Sequence, residues 1–497
     1  MDYISTRGGL SISAGSAILR GIADDGGLYV PSSFPILTQE FLEKMIPMDY
    51  PERAVEILSL YLTDYTKEEL KSYAEKAYSR FDGDPAPVLK VDDDLFLLEL
   101  FHGPTYAFKD LALTILPYLI LSARKKAGVE NKTLILVATS GDTGKAAAEG
   151  FKDVEGTEIV VVYPSEGVSE LQKLQMKTSE GDNVHFLGIE GNFDQAQTLV
   201  KKMFADKEIN KKFAKMGYEL SSANSINWGR LAPQIVYYVS AYLDILGCEE
   251  IKPGEKINFV VPTGNFGNIL SAYYAKQMGI PINKLIVASN SNDVLTDFFN
   301  NRKYDTNRPF HKTMSPSMDI LISSNLERLL FELSGRDSEY VKVLMKDLKE
   351  KGSYVIDFEK IKDDFSDFAA YMSDEENTEE GINAFYEMYD YVLDPHTAVA
   401  ANVYSDYIFD TEDKTKSVIV STASPYKFAK DVYRCLTGNN EKDPMNALKK
   451  LHDYTMTDVP EELLELDMMP IIHDKVVKVS EAEETILAII ADKNKQI

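Results

Sequence analysis

Lys109 lies in the stretch FHGPTYAFKD, residues 101–110, just after a Gly-Pro turn and directly before the apolar helical run KDLALTILPYLILSARKK. A cation at a helix opening opposes the macrodipole, whose positive end lies there. That opposition lowers the amine's pKa, and a lysine that attacks a carbonyl must be neutral. A solvated surface lysine does no chemistry. A lysine aimed out of a tight turn could bind a carbonyl group.

Three loops carry small polar residues after apolar runs. In ATSGDTGKAAAEG, residues 138–150, Ser140, Gly141, Asp142, Thr143 and Gly144 join a strand to a helix. Amides at a helix N-terminus form an anion site, and the hydroxyls of Ser140 and Thr143 could add donors for a carboxylate. Helix capping by Ser or Asp is the plainer alternative. In VVPTGNFGNIL, residues 260–270, Gly264 and Gly267 bracket Asn265 and Phe266, and Asn268 follows. Strand, Gly-rich turn and helix make a phosphate cradle. No Gly-Lys-Ser/Thr follows and the third glycine of a dinucleotide site is missing, so a small phosphorylated ligand is favoured over ATP or NAD. In STASPYKF, residues 421–428, Ser421 and Thr422 could bond a ligand nitrogen or simply cap a helix. One aldehyde for Lys109 and one phosphate for the Gly264–Asn268 loop together suggest pyridoxal phosphate.

The elements that must position these residues alternate. Apolar runs at 95–100, 132–139, 158–164, 184–191, 257–264, 285–290 and 416–423 read as strands, several with helical stretches behind them. This order predicts parallel sheets covered on both faces, with ligands beyond the carboxyl ends of the strands. Residues 36–80 read as helices, with TQEFLEKMI and TKEELKSYAEKAYSRF opening on Thr caps. SDEENTEEG, residues 373–381, reads as a charged surface loop, and VDDDLF, residues 91–96, as a polar turn before a strand; no metal site is expected.

The 497 residues suit two or three domains. With 53 Lys and Arg against 79 Asp and Glu, the formal charge of −26 disfavours nucleic acid and anionic membranes as partners. Two cysteines, Cys248 and Cys435, form no zinc or disulfide pattern. No apolar run of membrane length and no secretory leader is legible, so the expected location is cytoplasmic.

The motifs STRGG (5–9), FHGPTYAFKD, TSGDTG (139–144), SSANSINWGR (221–230), PTGNFGN (262–268), DPHTAVA (394–400) and STASPYKF, in this order, resemble threonine synthase through nearly the whole chain. The resemblance is to the longer microbial and fungal-type branch. It implies an α/β, fold-type II pyridoxal-phosphate enzyme, tryptophan synthase β-like, with two parallel-sheet domains and a helical N-terminal segment. The implied division is an N-terminal segment 1–85, a large cofactor-binding domain of 86–124 and 226–440, a small domain 125–225, and a C-terminal helical segment 441–497. Lys109 resembles the Schiff-base lysine and base; Gly264, Asn265, Phe266, Gly267 and Asn268 the loop for the cofactor phosphate; Thr422 the hydroxyl facing the pyridine nitrogen. Ser140, Gly141, Thr143 and Gly144 resemble the substrate-carboxylate loop, and Asp142 stands near the cofactor O3′. Many fold-type II relatives place asparagine there, and a carboxylate cannot make an amide's hydrogen bonds.

The implied reaction turns O-phospho-L-homoserine and water into L-threonine and phosphate, in a protein expected to be monomeric. The substrate phosphate needs its own cations, with Arg230, Lys427 and Lys173 as candidates and Asn227 as an amide donor. His102 and His396 sit in matching motifs, where His396 orients a loop or moves protons. Two other readings share the motifs. A related lyase or dehydratase would release a 2-oxo acid, and a non-catalytic binding protein would have no use for Lys109 and the glycine loop together.

Overall fold

A computed structural model describes residues 1–495 apart from 140 and 167. Ser140, expected in the substrate loop, lies outside the described residues.

The larger sheet runs in the order Phe368–Met372, Ile282–Ser289, Ile257–Pro262, Ser417–Ser421, Leu95–Glu99, Val88–Lys90. All neighbours are parallel except the last pair. Side chains alternate between two cores, as a period of two requires. Phe259, Val261, Val418 and Val420 enter one core with the helix Trp228–Gly247, while Val260 and Ile419 enter the other with the helix Pro395–Thr411. Burial on both faces is why these strands are continuously apolar in sequence.

The smaller sheet is wholly parallel, in the order Val476–Lys478, Val184–Glu190, Thr157–Pro164, Lys132–Ala138, Tyr218–Ser221. Ile135, Val137, Ile159 and Val161 join the main core, whereas Leu134, Leu136, Val160 and Val162 pack with Ala482, Ile486 and Ile490 of the C-terminal helix. The C-terminal segment, expected to be helical, therefore also supplies an edge strand of three residues. The N-terminal segment holds its helices and, in addition, a small antiparallel sheet of Ile12–Ser13, Asp2–Ser5 and Tyr29–Pro31. Its helix Lys67–Tyr78 opens on the capping box of Thr66 and Glu69.

Two local expectations change. The charged stretch at 373–381 is not a loop, because it opens the helix Glu375–Tyr389 on an Asp374 cap. Thr378, Gly381, Ile382 and Phe385 form its buried stripe, which dense surface charge conceals in the sequence. The helix behind Lys109 is broken into Asp110–Leu113 and Leu116–Ala127. Pro117 is the reason, since it lacks an N–H and its ring crowds the preceding turn.

Ile486 is fully buried against the small sheet. Ile486→Ala should cost about 2–5 kcal/mol in urea unfolding. Hydrogen exchange should show the loss concentrated in Thr157–Pro164 and Val184–Glu190.

Candidate active site

The turn before Lys109 is held from two sides. Asp110 folds back to accept from Thr105, at 2.8 Å from the amide and 2.6 Å from the hydroxyl. Gly103 is required there, because a Cβ would lie 2.6 Å from that of Asp110. On the other side Phe108 donates its amide to the carbonyl of Thr422 at 2.9 Å, and Ala107 bridges Ala423. The segment just past the strand Ser417–Ser421 thus sets where Lys109 leaves the backbone.

The Lys109 amine is buried, and among the described residues its polar contacts are long: Ser317 Oγ at 3.3 Å and Asp142 Oδ2 at 3.8 Å. Its pKa falls to about 8. Burial is the chief cause, with Lys427 and Arg230 adding to it and Asp142 opposing. The lowering expected from the macrodipole is present, but its leading cause is desolvation; the helix behind Lys109 has only four residues.

Asp142 opens the helix Asp142–Phe151 and is buried. Its Oδ1 lies 2.8 Å from Lys427 Nζ and accepts from Gln172 Nε2 at 3.0 Å; its Oδ2 accepts from Ser317 Oγ at 3.3 Å. Burial alone would raise its pKa, yet Lys427 and Lys109 hold it far below the usual carboxylate range.

The Gly264–Asn268 turn ends the strand Ile257–Pro262 and opens the helix Gly267–Gln277. Phe266 adopts a left-handed φ of 62°, and its ring stacks on Phe299 in the core, so only its backbone faces the turn. Asn325 donates its amide and its Nδ2 to the Asn265 carbonyl at 3.1 and 3.0 Å, and Ser323 binds the Gly264 carbonyl at 2.7 Å. Asn268 Oδ1 accepts from Tyr237 and Tyr238, both at 2.6 Å, which leaves its buried Nδ2 without a partner. Ser317 joins this turn to Lys109, because its carbonyl packs on Gly264 while its hydroxyl reaches the amine.

The Thr422 amide donates to Thr397 Oγ1 at 3.3 Å, while its hydroxyl makes no hydrogen bond to the described residues. His396 orients a loop: its Nδ1 meets Asp394 at 2.7 Å and its Nε2 accepts the Ser317 amide at 3.1 Å. His102 pairs with Glu99 at 2.8 Å.

The substrate-side expectations divide. Arg230 is buried, donates Nη1 to the Ala223 carbonyl at 2.9 Å, and has no partner for Nε and no acidic partner among the described residues. Burial lowers its pKa to about 10. Thr143 is half-buried with its hydroxyl free of the described residues. Gly141 and Gly144 instead donate their amides to Thr139 Oγ1, each at 3.0 Å, so these amides hold the loop's shape. Asn227 caps the helix Trp228–Gly247, and its Nδ2 bonds the carbonyls of Ile18 and Ser222 at 2.9 and 3.3 Å; its amide is therefore not free for an anion. Lys427 is fully buried against Asp142, which removes it from the phosphate candidates. Lys173 is half-buried, and its side chain makes no hydrogen bond or ion pair with the described residues.

Sequence reasoning missed Ser317, Gln172, Asn325 and the Asp394–Thr397 pair. DPHTAVA carried a signal, since an Asp before Pro at a helix start is a cap. Ser317, 208 residues from Lys109, carried none.

Two parallel sheets, a buried low-pKa lysine and a glycine turn at a helix N-terminus define a pyridoxal-phosphate dependent enzyme of fold type II, and the family model so described matches residues 85–424. Models described as the threonine synthase N terminus and the threonine synthase C-terminal match residues 2–78 and 397–468. The chain belongs to the threonine synthase family. Threonine synthase of Schizosaccharomyces pombe is 36% identical over 474 residues, covering 89% of this chain and 90% of its own. That of Pseudomonas aeruginosa is 39% identical over 441 residues, covering 88% and 91%. The crystal structure of PLP-bound threonine synthase from Brucella melitensis superposes with a TM-score of 0.87 at 36% identity, covering 98% of this chain and 99% of that one.

The residues present fit the cofactor. A low-pKa amine, an orphaned Asn268 amide on the glycine turn and an open Thr422 hydroxyl match an aldehyde, a phosphate and a ring nitrogen. A Cβ on Gly264 would lie 2.8 Å from the Ser317 carbonyl. Gly264→Ala should therefore displace the turn at about 1–3 kcal/mol. Equilibrium dialysis of the holoenzyme should show roughly tenfold or more weaker retention of pyridoxal phosphate.

Proposed function

We propose that the protein is a threonine synthase, converting O-phospho-L-homoserine and water into L-threonine and phosphate as the last step of threonine biosynthesis. The observation that carries this reading is a buried lysine amine with a pKa near 8, tied through Ser317 to a glycine turn at a helix N-terminus and accompanied by a buried arginine with no acidic partner among the described residues. We assign residues 1–85 to the N-terminal segment, 125–225 to the small domain, 86–124 with 226–440 to the large one, and 441–497 to the C-terminal segment. Among the described residues no helix is long and apolar enough to cross a membrane. The enzyme is proposed to work as a monomer in the cytoplasm.

When bound, pyridoxal phosphate supplies a carbonyl carbon for amines and a ring that takes up electrons. Gly264, Asn265, Phe266 and Gly267 offer backbone to its phosphate, and Asn268 its free amide. Thr422 offers its hydroxyl to the ring nitrogen. A hydroxyl there leaves that nitrogen largely unprotonated, so neighbouring groups must carry more of the charge stabilisation. Lys109, with a pKa near 8, exists in both forms near neutral pH and can take a proton from the substrate Cα and Cβ and return one. Thr143 offers its hydroxyl to the substrate carboxylate.

Arg230 is assigned to the substrate phosphate. In a chain of formal charge −26, a buried guanidinium without an acidic partner is a specific anion site. Its bond to the Ala223 carbonyl fixes the side chain, while Nε has no partner among the described residues.

Purified protein given O-phospho-L-homoserine should produce threonine and phosphate in equal amounts. Phosphate without threonine would assign the enzyme to the phospho-lyases instead. Lys109→Ala should lose the yellow colour and at least about a thousandfold in turnover; a variant that stays yellow and active would remove Lys109 from the mechanism. Arg230→Gln should raise KM roughly tenfold or more and abolish competitive inhibition by inorganic phosphate, with a smaller effect on kcat.

A further inference from the structure

Lys427 is a candidate substrate-side cation that the fold turns toward Asp142 instead. It lies on the short turn Pro425–Phe428, just past Thr422, and its side chain is 0% exposed. Its ammonium donates to the Thr105 carbonyl at 2.6 Å and meets Asp142 Oδ1 at 2.8 Å. These partners belong to the turn before Lys109 and to the helix Asp142–Phe151 of the small-sheet unit. An ammonium has three donors, and two are already taken.

Asp142 is shared unequally. Its Oδ1 holds Lys427 and Gln172, whereas Oδ2 stands 3.8 Å from Lys109 Nζ, outside hydrogen-bond reach, with Ser317 Oγ between them at 3.3 Å from each. Two buried lysines therefore compete for one buried carboxylate, and the geometry awards it to Lys427. Building on the pyridoxal-phosphate reading above, we infer that Lys427 is a positioning residue: as the counter-ion of Asp142 it keeps Lys109 out of an ion pair and free to attack the cofactor aldehyde.

The charged groups facing Lys109 are Asp142, Lys427, Arg230 and Asp110. Asp110 is bound by Thr105 and sits on the short helix behind Lys109. Removing Lys427 would leave the Lys109 amine as the leading cationic neighbour of Asp142, ahead of His396. A charged Lys109 has no lone pair and cannot attack a carbonyl. The direction agrees with the titration of Lys109, which burial lowers first, Lys427 lowers further and Asp142 raises. Paired with Lys427, the Asp142 carboxylate adds little net charge to the site.

The test follows the visible absorbance gained when pyridoxal 5′-phosphate is added to the full-length, cofactor-stripped chain across a range of pH. Only neutral Lys109 reacts, so the wild-type rate should rise with pH and reach half its maximum near pH 8. Lys427→Met should move that midpoint up by about one unit or more and slow combination about tenfold at neutral pH. The double variant Lys427→Met with Asp142→Asn removes both charges and should return the midpoint to the wild-type value. Lys427→Arg should leave it unmoved. A purely structural role would change amplitude or affinity without moving the midpoint. A Lys427→Met curve that superimposes on wild type, or a double variant that does not return, overturns the inference. Should Lys427→Met fail to fold, Asp142→Asn alone decides: it leaves the Lys427 charge acting on Lys109 and must lower the midpoint, and an unmoved midpoint refutes the inference. Wild-type protein that gains no absorbance would sink the cofactor reading itself, and this inference with it.

Discussion

A buried amine that must be neutral governs this site. Taking an ammonium out of water is costly, and the protein lets that cost shift the protonation of Lys109 instead of cancelling it with a partner. Everything near Lys109 serves this balance. The Asp142 carboxylate would undo it by pairing, so a second lysine holds that carboxylate. Arg230 adds positive potential without touching the amine. Ser317 offers a hydrogen bond that leaves the amine uncharged or charged as the reaction requires.

The same constraint explains why so much of the chain serves one turn. The glycine turn at Gly264–Asn268 is held by Asn325, which Arg328 binds, and Arg328 reaches the Tyr29 and Ile226 carbonyls at 3.0 and 2.6 Å. Glu327, beside it, receives Thr6 at 2.6 Å and Arg7 at 2.7 Å. The N-terminal segment thus buttresses the glycine turn from more than 200 residues away in sequence. Ser317 is held likewise by His396, itself aligned by Asp394. A buried anion site needs donors already in place, and preorganised donors need supports that cannot relax.

How much was legible follows from how local each signal is. The strands Ile257–Pro262 and Ser417–Ser421 were legible because burial on both faces writes a continuous apolar run. The glycine turn and Lys109 were legible because turns and helix openings depend on neighbours in sequence. The helix Glu375–Tyr389 was not, since its charged face outnumbers its buried one. Lys427 was visible as a cation but its direction was not: a lysine in SPYKF reads the same whether it faces solvent, substrate or Asp142. Asn227 misled similarly, because an amide in a motif is equally suited to capping a helix.

The sequence by itself determined the fold class and the cofactor class, and it marked Lys109 and the Gly264–Asn268 turn, because each rests on patterns a few residues long. Tertiary structure alone decided the charges. Which of Arg230, Lys173 and Lys427 stands free of an acidic partner beside Lys109, which carboxylate is neutralised, and why Lys109 titrates near 8 depend on burial and on distances of 3–4 Å between residues far apart in the chain. Electrostatic energy varies with separation and local dielectric, and neither is written in the order of the residues.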